Sequence, residues 1–135
     1  MKYRVGVDTS FLVQLLKGNN TAVSVWERVV NLEVEIVIST VVLFELKRLA
    51  LQERFEREKY EVLEESLLEI AHIVNLDKEL AFKAAAVSHG TGLPARDAII
   101  YTIAKESGCK EFYTTDTHFK AVSIKKRPKI IFISP

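Results

Sequence analysis

Four acids in this chain stand where an ionised side chain is costly or oddly placed. Asp8 ends the short apolar run Val5-Gly6-Val7, and Thr9-Ser10 then open a helical pattern from Phe11 to Lys17. An acid at a strand-to-helix turn lies at the carboxyl end of the strand, the edge at which open α/β sheets bind ligands. Glu45 interrupts an apolar helical stripe formed by Val42, Leu46 and Leu49, where a carboxylate is expensive unless paired or bound to metal. Asp97 lies near the start of a helix, with Tyr101 and Ala104 following on the same side, and Asp116 ends a strand as Asp8 does.

Taken singly, each acid has an ordinary explanation. Glu45 could find a basic partner or a wet edge of its stripe, Asp97 suits the positive end of a helix dipole, and Asp116 suits an Asx turn. Taken together they point elsewhere. Two cap the carboxyl ends of parallel strands, and two begin helices that follow the same edge, so one rim receives all four. No basic residue is expected at the matching positions. Two carboxylates about 4 Å apart repel by roughly 4 kcal/mol at an effective dielectric of about 20. Hard divalent cations relieve that repulsion, and Mg²⁺ and Mn²⁺ prefer oxygen ligands. Such a centre can activate water and stabilise the leaving oxygen of a phosphodiester.

The elements that must carry these acids follow from periodicity. Phe11, Leu12, Leu15 and Leu16 form a helical face that Gly18 stops. A second amphipathic helix spans Thr21 to Asn31, with Val25, Trp26, Val29 and Val30 inward. Glu35-Ile36-Val37-Ile38 is a β-branched strand, Ser39 and Thr40 are candidate caps, and a helix from Val41 runs through Ala50. The charged stretch Arg54 to Glu65 reads as a helix with a solvated face, on Phe55, Tyr60, Leu63 and Leu67. Ala71 to Asn75 is a weak strand; Asp77 caps a helix running toward Gly90, and Gly90 to Pro94 is a loop by composition. Ala95 to Ser107 is a helix closed by Gly108, Phe112 to Thr114 a strand, and Ile130 to Ile133 a last strand after the cluster Lys125-Lys126-Arg127. Strands alternating with helices imply an α/β domain, a parallel sheet with helices on both faces.

Composition narrows the class further. The 135 residues suffice for one domain with a real core, and no linker or repeat divides residues 1–135. A net charge of +1 supplies no global basic field, so nucleic acid would have to be met by local patches. The single cysteine, Cys109, excludes a disulfide framework and suits a reducing cytoplasm. Asp8 interrupts the opening apolar run, so neither a secretory signal nor a membrane span is expected.

In order along the chain, these residues resemble the PIN domain (named from the PilT amino terminus), and in particular its small VapC-type toxin ribonucleases. Asp8-Thr9-Ser10 looks like the family's opening D-[TS]-[ST]. Ser39 through Glu45-Leu46 is similar to its S-x₅-E-L helix, and Pro94-Ala95-Arg96-Asp97-Ala98 matches P-x-x-D-A. Thr114-Thr115-Asp116-Thr117-His118-Phe119 closely resembles T-x-D-x-H-F. The resemblance implies a sheet of about five parallel strands, with Asp8, Glu45, Asp97 and Asp116 as catalytic metal ligands for Mg²⁺ or Mn²⁺. It also implies cleavage of single-stranded RNA, an antitoxin partner covering the acidic site, and a homodimer. The charged Arg54 to Glu65 segment falls in the family's variable helical region.

Around the four acids, Thr9, Ser10 and Thr115 are candidates to orient carboxylates or hold water. His118 is read as structural, Cys109 as core filling, and Arg96 and Lys125-Lys126-Arg127 as surface salt-bridging groups. Three rivals share the same residues. One is a housekeeping RNA-processing nuclease and another an inactive module that only binds RNA or protein. The third, a phosphoryl-transfer domain with Asp8 as nucleophile, lacks the second Asp and the lysine it would need.

Overall fold

The computed structural model describes residues 2–135. Its centre is a five-stranded, wholly parallel sheet built from β1 (Tyr3–Val7), β2 (Val34–Ser39), β3 (His72–Val74), β4 (Glu111–Thr114) and β5 (Lys129–Phe132). The strand order is β3-β2-β1-β4-β5. β1 therefore sits in the middle, paired with β2 from Tyr3↔Val34 to Gly6↔Val37 and with β4 from Val5↔Glu111 to Val7↔Tyr113. The chain winds to one side through β2 and β3, then returns to the other side of β1 through β4 and β5. That reversal puts the switch point between β1 and β4, next to Asp8. Ile36, Val37 and Ile38 are all buried although successive side chains point to opposite faces, so both faces of the sheet are covered.

The helices follow their caps. Asp8, Asn19, Ser39 and Asp77 each accept a backbone N–H from the first turn of α1 (Thr9–Leu16), α2 (Asn20–Val30), α3 (Thr40–Leu51) and α5 (Lys78–Thr91). α4 (Arg57–Ile70) buries Tyr60, Leu63 and Leu67 and leaves its charged face in water, as the sequence suggested. The stretch from Gly90 was expected to be loop, yet α5 continues through Thr91. Gly92, at φ +79°, supplies the left-handed residue that ends the helix, and nothing crowds Gly90 inside it. A short 3₁₀ helix, Thr117–Val122, follows Asp116 and was not anticipated. No helix among the described residues is long and apolar enough to cross a membrane.

α6 (Ala95–Glu106) is buried almost all round, from Asp97 and Ala98 through Ala104. Gly6 makes this possible. A Cβ there would meet Ala104 Cβ at 2.8 Å and Phe112 Cδ1 at 3.0 Å. The missing side chain on the central strand lets α6 lie close to the sheet, which fixes the height at which Asp97 meets the rim.

Candidate active site

Asp8 is the most constrained of the four acids. Its carboxylate is buried, with Oδ1 accepting from the Ser10 hydroxyl at 2.6 Å and the Phe11 N–H at 3.1 Å, and Oδ2 accepting from the Thr114 hydroxyl at 2.6 Å. Burial raises its pKa above the usual carboxylate value; the bonds from Ser10, Thr114 and Phe11 and the charge of Arg96 work in the opposite direction. Thr114 ties two acids together, since its Oγ1 also accepts the backbone N–H of Asp116 at 2.9 Å. Thr115, a sequence candidate for orienting carboxylates, does not take part through its side chain. β4 alternation instead turns the Thr114 hydroxyl to Asp8, and Thr115 contributes its backbone N–H to Ser10 Oγ. Thr9 and Ser10 do orient carboxylates: Thr9 donates to Glu45 Oε1 at 2.5 Å, and Ser10 to Asp8.

Glu45 leans off its apolar stripe toward Thr9, its side chain 20% exposed, while Val42 and Leu46 behind it are fully buried. Asp97 is 2% exposed and Asp116 21%. A base does stand among them, contrary to the expectation of an unrelieved acidic rim. The guanidinium of Arg96 donates to Glu45 Oε2 at 3.0 Å and to Asp97 Oδ1 at 3.1 and 2.7 Å, and lies 3.4 Å from Asp116 Oδ2. Partial burial pulls its pKa down, but the bonds to Asp97 and Glu45 outweigh that and raise it. The sequence around Arg96 suggests only a surface salt bridge, because its neighbours carry no hint that Glu45 and Asp116 arrive from other elements. His118 also departs from the structural reading: its Nδ1 lies 2.9 Å from Asp116 Oδ1 and 3.5 Å from Asp97 Oδ2. Cys109 is core filling as expected, buried against Gly6, its thiol pushed up to about 12 by that burial.

The rim therefore falls into two parts. Asp97, Asp116 and His118 each offer one donor atom within 4.8 Å of the others. Asp97 Oδ1 is engaged by Arg96, whereas Oδ2 accepts no hydrogen bond among the described residues. Glu45 joins through Arg96, and Asp8 through Thr114. A partly open carboxylate pair with a cation already drawn into it matches the donor chemistry of a hard divalent ion.

Fold and site together define a class: a small parallel α/β domain with a cluster of carboxylates gathered around one guanidinium at the carboxyl edge of its central strands. The chain belongs to the PIN domain family, whose model matches residues 5–125. PIN domains are nucleases that use divalent metal. In fold the chain is similar to VapBC2 from Rickettsia felis bound to a DNA fragment of its promoter. The two share 16% identity over 97% of this chain and 99% of that one, with a TM-score of 0.70. It is likewise similar to a toxin–antitoxin complex from Klebsiella pneumoniae, at 20% identity, 94% and 95% coverage and a TM-score of 0.69. FitAcB from Neisseria gonorrhoeae follows at 24% identity, 96% coverage of both chains and a TM-score of 0.65. No curated protein sequence matches the chain significantly.

Proposed function

We propose that this protein is a Mg²⁺- or Mn²⁺-dependent endoribonuclease that cuts single-stranded RNA, and that it is the toxin of a toxin–antitoxin pair in the cytoplasm. One observation carries the reading: Glu45, Asp97 and Asp116, from three separate elements of a PIN domain, converge on a single guanidinium beside buried Asp8. In this reading Asp97 and Asp116 would hold the metal directly, and Asp8 and Glu45 would complete its acidic surroundings. Bound there, a divalent ion would supply an activated water and positive charge to stabilise the leaving oxygen of the phosphodiester.

The chain's own groups do the rest. Ser10, Thr114 and the Phe11 N–H hold Asp8 in one rotamer, so its charge needs no rearrangement during the reaction. Thr9 does the same for Glu45. The scissile phosphate meets a rim whose cations, Arg96 and any bound metal, offset the acids that would otherwise repel it.

The toxin assignment rests on the fold neighbours, several of which are toxin–antitoxin complexes. It gains support from a surface feature. Beside Glu45 on α3, Phe44 is 67% exposed, and Leu68 on α4 is 62% exposed. They border a cavity of about 310 Å³ lined also by Leu43, Leu46, Tyr60 and Leu67. An apolar segment of a cognate antitoxin could seat in this groove, and an arginine elsewhere in that partner would make a strong bidentate plug for the acids. A homodimer completes the reading.

The test is incubation of the purified protein with mixed RNAs, with and without Mg²⁺ or Mn²⁺, followed by mapping of the ends. Asp97→Asn keeps the side-chain shape and removes a charged ligand, so cleavage should be abolished with the circular dichroism spectrum intact. Cleavage within about tenfold of wild type, roughly 1.4 kcal/mol of barrier, would remove Asp97 from the site.

A further inference from the structure

His118 occupies a position that core packing does not explain. Its side chain is 63% exposed, so the ring is not buried filling. It is held over the rim because Asp116 caps the 3₁₀ helix, accepting the His118 backbone N–H at 2.9 Å. The ring then brings Nδ1 to within 2.9 Å of Asp116 Oδ1 and 3.5 Å of Asp97 Oδ2. A simple hydrogen bond to Asp116 would not require the second approach. Asp97 Oδ2 is the oxygen that no donor among the described residues satisfies, on a carboxylate 2% exposed. Two carboxylate oxygens and one imidazole nitrogen thus lie within 4.8 Å of one another, a separation that one cation could bridge.

We propose that His118 is a nitrogen ligand of the metal centre, joining Asp97 and Asp116, and that it biases the centre toward Mn²⁺ and Co²⁺ over Mg²⁺. The proposal rests on the reading of the acidic rim as a metal site and adds a ligand and a selectivity to it. The chemistry is that of donor softness. Mg²⁺ binds oxygen, keeps several of its waters and gains little from imidazole. Affinity for sites containing nitrogen rises from Mn²⁺ through Co²⁺ along the first-row series. A lone imidazole added to two carboxylates therefore separates the ions that carboxylates alone would treat more evenly.

The measurements need no RNA. Mn²⁺, Co²⁺ and Mg²⁺ are titrated calorimetrically into wild type and His118→Gln, and Mn²⁺-loaded wild type is examined by electron spin-echo envelope modulation. The variant should bind Mn²⁺ and Co²⁺ about tenfold more weakly, about 1.4 kcal/mol, with Mg²⁺ changed by less than about twofold. Wild type with Mn²⁺ should show modulation from a directly bound nitrogen, and the variant should not. Absence of that modulation in wild type overturns the assignment even if the variant fails to fold. Equal weakening for all three ions, or tighter binding of all three, also overturns it, because His118 would then act only as a partner of Asp116. A protein that shows the nitrogen and the selectivity but cuts no RNA keeps the ligand assignment and refutes the nuclease reading.

Discussion

Replacing Arg96 with glutamine should weaken the metal-free protein and strengthen its response to metal. The guanidinium bridges Glu45 at 3.0 Å, Asp97 at 2.7 Å and Asp116 at 3.4 Å. Its side chain is 46% exposed, so each pair is screened and worth about 0.2–1 kcal/mol. The bond to buried Asp97 lies at the top of that range, and the longest, to Asp116, near the bottom. The loss should be about 1–2 kcal/mol near neutral pH, which lowers Tm by roughly 4–8 °C in a domain of this size. The metal shifts the other way. Arg96 holds the other oxygens of the two carboxylates that would ligate the ion, Asp97 Oδ1 and Asp116 Oδ2, so its charge competes for the same acids, and removing it should tighten Mn²⁺ binding about tenfold. That adds about 1.4 kcal/mol to the stabilisation by metal at a given concentration well above Kd. The assay is thermal unfolding of wild type and Arg96→Gln in EDTA and across a Mn²⁺ series, with calorimetry for Kd. The deficit seen in EDTA should shrink or vanish as Mn²⁺ saturates. A variant as stable as wild type in EDTA would mean that the bridging contacts contribute nothing. One with a smaller Mn²⁺ response would mean that Arg96 supports metal binding instead of opposing it.

Other variants probe the remaining positions. Asp8 has a folded-state pKa raised by burial, so its contribution is fully present below its unfolded value of about 3.8 and is lost as pH rises through the higher folded value. Asp8→Asn should therefore be more stable than wild type in EDTA at pH 7, with a flatter pH profile of Tm and a blunted Mn²⁺ shift; lower stability with an undiminished shift would make Asp8 only a turn residue. Glu45→Gln should abolish RNA cleavage whereas Glu65→Gln, on the exposed face of α4, should not, and equal activity in the two would sink the role of Glu45. Gly6→Ala should cost about 1–3 kcal/mol by urea unfolding, since the new methyl would press on Ala104 and Phe112. Unchanged stability there would show that α6 can retreat from the sheet without loss.

Much of this molecule is legible in one dimension. The apolar run Val5-Gly6-Val7 and the β-branched run Ile36–Ile38, the caps at Ser39 and Asp77, and the alternation of strand and helix are local properties, written within a few residues. They suffice for a parallel α/β domain, and the same locality picks out the four acids, Glu45 by interrupting its apolar stripe and Asp8, Asp97 and Asp116 by their places at strand ends and a helix start, although each alone has an ordinary explanation. What lies between elements is not local. That Arg96 bridges acids from α3 and from the end of β4 depends on how closely α6 approaches the sheet, which Gly6 allows from about ninety residues away in the chain. The choice of Thr114 over Thr115 depends on which face of β4 turns to Asp8, a matter of register with β1. His118 looked structural because its relation to Asp97 exists only once the 3₁₀ helix folds its ring back over the rim. Periodicity reports which side chains an element must bury, but the distances among charged groups from different elements are set by packing, and only the tertiary structure decides them.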